Sequence, residues 1–179
     1  MDVITGTIPA IRRLKDFEKA LVSPHEWMIF LETRIGQLKN LIEYSKRHNK
    51  KVLIHIDLIQ GLNADEFGVE YLVREIKPNG IISTRSSVID QVKKHDLIAI
   101  QRLFLLDSLS LENYVKLTSR IQPDYIEVLP GKMPDLINSI YQKTNIPIIA
   151  GGLITANSEV SIALDAGAVA ISTSCTDLW

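Results

Sequence analysis

Cysteine is almost absent: Cys175 is the only one in 179 residues, which excludes an internal disulfide and fits a reducing cytoplasm. Net charge is nearly absent too. Twenty Lys and Arg against 21 Asp and Glu leave −1 at pH 7, so no global field draws the chain to nucleic acid or to a membrane. No apolar run reaches the roughly 20 residues that cross a bilayer. The opening MDVITGTIPAIRRLKDFEKAL lacks a basic start followed by an apolar stretch, so no signal peptide is expected. Linkers, low-complexity tracts and sequence repeats are missing as well. What remains is 46% hydrophobic and 23% charged, the composition of one globular domain over residues 1–179 with a real core.

Eight short apolar runs alternate with longer amphipathic segments. The runs are IPAIR (8–12), WMIFLE (27–32), VLIHIDLI (52–59), GIISTR (80–85), LIAIQRLFLL (97–106), YIEVLP (125–130), IPIIAG (146–151) and AVAISTS (168–174). Their length and flanking turn residues predict buried parallel strands. Seven helical segments lie between them, and the second carries Leu38, Leu41 and Ile42 on one face. Ser110 is positioned to begin the fifth helix, and Gly167 to close the seventh. Strict β/α alternation fits a closed barrel or a doubly wound open sheet. Eight strands favour a compact TIM (β/α)8 barrel. Only TDLW follows the last run, so the eighth helix is absent or a single turn.

Chemistry in such a barrel sits where the strands end. Arg12, Glu32, Thr84 and Arg85 end their runs, while Gln101, Arg102 and Glu127 interrupt apolar ones. Period-two alternation puts His55 and Asp57 on one face of the third run. A charge inside an apolar strand is costly unless it is paired or faces a ligand. Arg102 with Glu127 could be such a pair, which by itself says little about function. Polar groups at the same end of seven strands point further, to a site.

Gly151 and Gly152 end the seventh run, and Ser172, Thr173 and Ser174 end the eighth. Loops after strands seven and eight are the usual phosphate site of this fold. Glycine lets backbone N–H groups approach an anion, and a helix N-terminus adds positive potential. A tight turn is the plainer reading of the paired glycines. The segment QGLNADEFG (60–68) could serve as a lid, with Gly61 and Gly68 as hinges. His55 lacks a partner pattern for zinc, and no metal or other cofactor is expected. Cys175 and Trp179 read as packing residues.

HIDLIQG, GIISTRS, AIQRLFLLD, IEVLPG, IIAGGLI and AVAISTS, with the opening IPAIR and the closing LW, make the chain resemble the glycerol-uptake operon antiterminator family over almost its full length. That resemblance implies a bacterial, cytoplasmic regulator that responds to glycerol 3-phosphate. It also implies binding to the leader of glycerol-operon mRNA, which prevents premature termination of transcription. On that reading Gly151, Gly152, Ser172, Thr173 and Ser174 hold the phosphate. Asp57, Glu127, Glu32 and His55 face the polyol, and Arg12, Arg85 and Arg102 supply positive charge.

RNA contacts are harder to read. Lys46, Arg47, His48, Lys50 and Lys51 form one cationic cluster, Lys93, Lys94 and His95 a second, and Arg12, Arg13 and Lys15 a third. Cations at helix C-termini also have a plain dipole reason, and no named RNA-binding motif is present. Two other function classes stay open. One is an epimerase, isomerase or lyase acting on a phosphorylated sugar or polyol, with Asp57 and Glu127 as acid and base. No Lys sits inside a strand, which counts against Schiff-base chemistry. The other is a metabolite-binding protein acting through protein partners. A homodimer is compatible with all three.

Overall fold

Val, Ile and Leu dominate the apolar runs because both faces of a parallel sheet are covered. The computed structural model describes residues 3–104 and 108–179. Its barrel strands are β1 (Gly6–Ile11), β2 (Trp27–Phe30), β3 (Lys51–His55), β4 (Gly80–Ser83), β5 (Ile98–Phe104), β6 (Tyr125–Leu129), β7 (Ile148–Gly151) and β8 (Ala168–Thr173). They pair in parallel in chain order, and β8 returns to β1 to close the barrel. The expected end of the fifth run, Leu105 and Leu106, lies outside the described residues, as does the side chain of the proposed helix cap Ser110.

The helices are α1 (Phe17–Val22), α2 (Ile35–Arg47), α3 (Glu66–Tyr71), α4 (Ser86–Val92), α5 (Ser108–Ile121), α6 (Pro134–Thr144) and α7 (Asn157–Asp165). α3 continues into a wider turn over Leu72–Ile76, which ends with Lys77 in the left-handed region at φ 56°. After β8 a single 3-10 turn, Thr176–Leu178, stands where an eighth helix would be. Gly167 follows α7 at φ 102°, and its N–H donates to the Leu164 carbonyl, the left-handed exit that glycine favours.

Alternation along the strands sorts the core into two layers. Ile8, Ile29, Leu53, Ile82, Ile100, Ile149 and Ala170 meet inside the barrel. Ile11, Phe30, Ile54, Ile81 and Ala99 pack outward with residues of α1 to α4. Ile126, Val128, Ala150 and Ile171 do the same beneath α6 and α7. The Tyr125 hydroxyl accepts the Ile4 N–H at 3.0 Å, which ties the N-terminal segment to the inside of the sheet.

The segment 60–68 is not built as a hinged lid. Thr33–Arg34 and Ile59–Gln60 form a short parallel ladder beside the barrel. Arg34 Nε donates to Gln60 Oε1, and Arg85 Nη1 donates to the Ala64 carbonyl. Gly68 is buried within α3, where Asp65 caps its N–H, so tertiary bonds pin the segment at both ends.

Gly80 opens β4 where its neighbours press closest: an added Cβ would lie 2.7 Å from the Ile98 carbonyl oxygen and 2.8 Å from Leu53 Cδ2. Gly80→Ala should therefore destabilise the barrel by about 1–3 kcal/mol, as overpacking does. The urea midpoint reports it, and an unchanged midpoint would show that the wall of the barrel yields at this point.

Candidate functional site

Inward parity carries up the strands to their C-terminal ends. There the interior layer stops being apolar. Arg102 on β5, Glu127 on β6, Gly151 on β7 and Ser172 on β8 occupy four successive strands. Arg102 is in register with Glu127, and Ser172 with Gly151. Arg102 Nε donates to Glu127 Oε2 at 2.6 Å, and Ser172 Oγ donates to Glu127 Oε1 at 2.6 Å. Glu127 is 1% exposed and Arg102 9%. Charge-assisted bonds of this length are the strong ones. They offset the cost of taking both charges out of water.

This chain explains Gly151. A Cβ there would sit 2.4 Å from Ser172 Oγ and 3.0 Å from Glu127 Oε1. The residue leaves room for the Ser172–Glu127 bond and lies behind the cavity wall. Gly152 does line the cavity, at φ 73°, followed by Leu153 at φ 61°.

The cavity itself measures about 700 Å³. Arg12, Arg102, Glu127, Gly152, Ser172, Thr173 and Ser174 line it, all of them expected from the sequence. On the side of β7 and β8, the backbone N–H groups of Gly152, Leu153 and Ser174 take no backbone acceptor among the described residues. The helix behind them contributes less than expected. Glu159 Oε2 already accepts the N–H groups of Thr155 and Ala156 at the start of α7. Lys132 and those two backbone bonds hold the Glu159 carboxyl down at about 2. The Thr173 hydroxyl is also committed, donating to the Ile154 carbonyl and accepting the Cys175 N–H.

Four other predicted residues lie outside the cavity lining. Strand β3 ends at His55, and Asp57 follows in a 3-10 turn rather than on the same strand face. The turn aims Asp57 at β4. Its carboxylate accepts Ser83 Oγ at 3.1 Å and the Thr84 N–H at 2.9 Å, with Arg85 Nε 3.4 Å away. Asp57 thus joins β3 to β4. Glu32 lies beyond β2 and pairs with Arg12 at 3.7 Å on the exposed rim. His55 is 2% exposed. Burial, then the Arg102 guanidinium, hold its imidazole down at about 4, so it is neutral at pH 7.

Sequence reasoning missed the apolar half of the mouth. Phe104, Leu129, Pro130 and Leu153 line the same cavity. Each looks like an ordinary core or turn residue in the sequence, and only Phe104 following a charged Arg102 with inward parity could have flagged one of them. Trp179 lies against the side of the barrel, its Nε1 donating to the Thr173 carbonyl at 2.9 Å.

The cationic residues divide. Lys50 is 9% exposed and donates to the Ser23 and His25 carbonyls, both at 2.6 Å. That removes it from any RNA surface. Lys51 pairs with Glu26, Lys93 with Asp124 and Lys94 with Asp90. Lys46 donates to the Lys77 carbonyl, and Arg47 stands over the Tyr44 ring. Among the described residues no group of three His, Cys, Asp or Glu side chains could hold a metal ion. No described helix is long and apolar enough to cross a membrane.

With that geometry in place, the relatives are informative. A family model described as "Glycerol-3-phosphate responsive antiterminator" matches residues 7–179. The glycerol uptake operon antiterminator regulatory protein of Listeria monocytogenes is 44% identical, with a TM-score of 0.94 over 97% of this chain and 94% of its own. A glycerol uptake operon antiterminator-related protein of Thermotoga maritima is 26% identical, with a TM-score of 0.88 over 99% of both chains. The uncharacterized protein YgcP of Escherichia coli is 33% identical over 96% of this chain and 91% of its own.

Two outcomes test the site. Glu127→Ala leaves Arg102 buried without its carboxylate and should cost about 3–5 kcal/mol in denaturant unfolding. A loss near zero would mean that Arg102 swings into water. The second concerns pH. The unfolded chain protonates His55 near 6.5, whereas the fold resists until about 4. This contribution to stability is therefore complete above 6.5 and is lost as pH falls toward 4. Unfolding free energy should drop between pH 7 and 5, and His55→Asn should flatten the drop. His25, also lowered by burial and by Lys50, adds in the same direction. An identical slope in the variant would remove His55 from the account.

Proposed function

The chain belongs to the glycerol-3-phosphate responsive antiterminator family, and on that premise we propose that its barrel mouth binds glycerol 3-phosphate and that the protein binds glycerol-operon leader mRNA to prevent premature termination. The observation that carries this reading is the two-sided cavity. One wall offers backbone N–H groups and the Ser174 side chain, with Gly152 baring the approach. The other offers the Arg102–Glu127 pair.

A phosphate suits the first wall, because N–H groups in a left-handed turn converge on an anion. Arg12 at the rim adds charge. A glycerol hydroxyl suits the second. Glu127 takes one donor on each oxygen, and a carboxylate has about four acceptor positions, so room remains for a ligand hydroxyl. A buried carboxylate also discriminates, since an analogue lacking the hydroxyl leaves it unpaired. Asp57, His55, Arg85 and Glu32 act behind this site: they brace the third and fourth strand ends and the rim. The ligand shifts the RNA-binding equilibrium only by its difference in affinity between two forms of the protein.

Thermal melting with glycerol 3-phosphate, glycerol and inorganic phosphate, each in excess, tests the ligand. At about 100 times its dissociation constant the ligand adds roughly 2.7 kcal/mol of stability. Glycerol 3-phosphate should shift the melt well above the other two, and Arg102→Met should abolish the difference. No shift with any of them would end the sensor reading of this cavity. Conversion of the ligand over hours would replace it with an enzymatic one.

A further inference from the structure

The sequence places Lys46, Arg47 and His48 at one helix end and Lys94 and His95 at another. The fold joins them. α2, α3 and α4 all run back to the N-terminal end of the barrel, opposite the ligand cavity. Lys46 Nζ donates to the Lys77 carbonyl at 2.7 Å, so the ends of α2 and α3 touch. Lys46, Lys77 and Asp96 rim a groove of about 450 Å³ floored by Asn79 and Ile98. A second hollow shares Asp96 and continues past Lys94 and His95. Lys46, Arg47 and Lys77 have no carboxylate partner among the described residues. Asp96 is the one carboxylate lining either hollow.

Beside the groove stands an exposed stacking step. The Tyr44 and His48 rings are 4.5 Å apart, and the Arg47 guanidinium lies 5.9 Å from the centre of the Tyr44 ring. Unpaired bases stack on such aromatic and guanidinium planes, while cations follow the phosphates. Helix dipoles alone do not account for the cluster. α7 has no base in its last turn and ends on Asp165. Lys77 lies beyond α3, in a left-handed conformation that a β-carbon disfavours.

We propose that this groove is the RNA-binding surface: single-stranded leader RNA runs across Lys46, Lys77 and Lys94, with a base against the Tyr44–His48–Arg47 step. The proposal rests on the RNA-binding reading above and adds its location. Ligand and RNA then occupy opposite ends of one barrel and do not compete for the same groups.

Fluorescence anisotropy with the labelled leader transcript of the glycerol operon from the protein's own genome tests it. The variant Arg47→Gln/Lys77→Asn/Lys94→Gln keeps a residue tolerant of the left-handed region at position 77. Its RNA affinity should fall by about tenfold or more, and the slope of log K against log salt should shrink by about two, for three lost phosphate contacts. The melting shift with glycerol 3-phosphate should match wild type, which separates a lost surface from a lost fold. Arg13→Gln/Lys15→Gln, at the opposite end, should retain RNA. Wild-type affinity and slope in the triple variant, or an equal loss in the Arg13/Lys15 variant, would overturn the assignment. Absence of leader binding by the wild-type protein, with or without ligand, would instead remove the RNA-binding reading on which it stands.

Discussion

One buried carboxylate organises the mouth of this barrel. Glu127 accepts Arg102 on one oxygen and Ser172 on the other, and the three side chains span β5, β6 and β8. Their charges and hydroxyl sit where apolar side chains fill the layer below. That layer can stay polar only because each group has a partner. β7 lies between Glu127 and Ser172 and can carry no side chain there, which is why Gly151 occupies it. The adjacent turn, Gly152 and Leu153, is thereby set at the cavity wall. The geometry proposed for the ligand thus depends on an interaction that never needs to touch the phosphate.

The β3–β4 side works differently. Asp57 draws together Ser83, Thr84 and Arg85, and Arg85 reaches on to the Ala64 carbonyl. These bonds replace a mobile cover with a braced one. The result is a mouth whose open half, lined by Phe104, Leu129 and Leu153, is more apolar than its braced half. Near-neutral overall charge hides a comparable contrast along the barrel axis. Acids and bases balance in the sequence, yet Lys46, Arg47 and Lys77 gather at one end with Asp96 the single carboxylate in the adjoining hollows.

Much of the fold was legible before any coordinates. Eight apolar runs became eight strands, the second helix buries Leu38 and Ile42 as its pattern requires, and the tail makes a single turn. The reason is that periodicity is a local consequence of one-sided or two-sided burial. Gly167 was legible for the same kind of reason, a left-handed exit written in one residue. Lys50 was not: its burial against two carbonyls depends on where the Ser23–His25 turn comes to rest.

By itself the sequence determined the order and type of the elements, the inward parity of Arg102 and Glu127, and the family signature, because each is encoded within a few adjacent residues. Tertiary structure alone decided which polar groups meet. It turned Asp57 toward β4, committed the Thr173 hydroxyl to Ile154, set Glu159 over the start of α7, and brought Lys77 beside Lys46. Those pairings span from a handful to tens of residues of chain, and they follow from strand register and barrel closure, which no local pattern specifies.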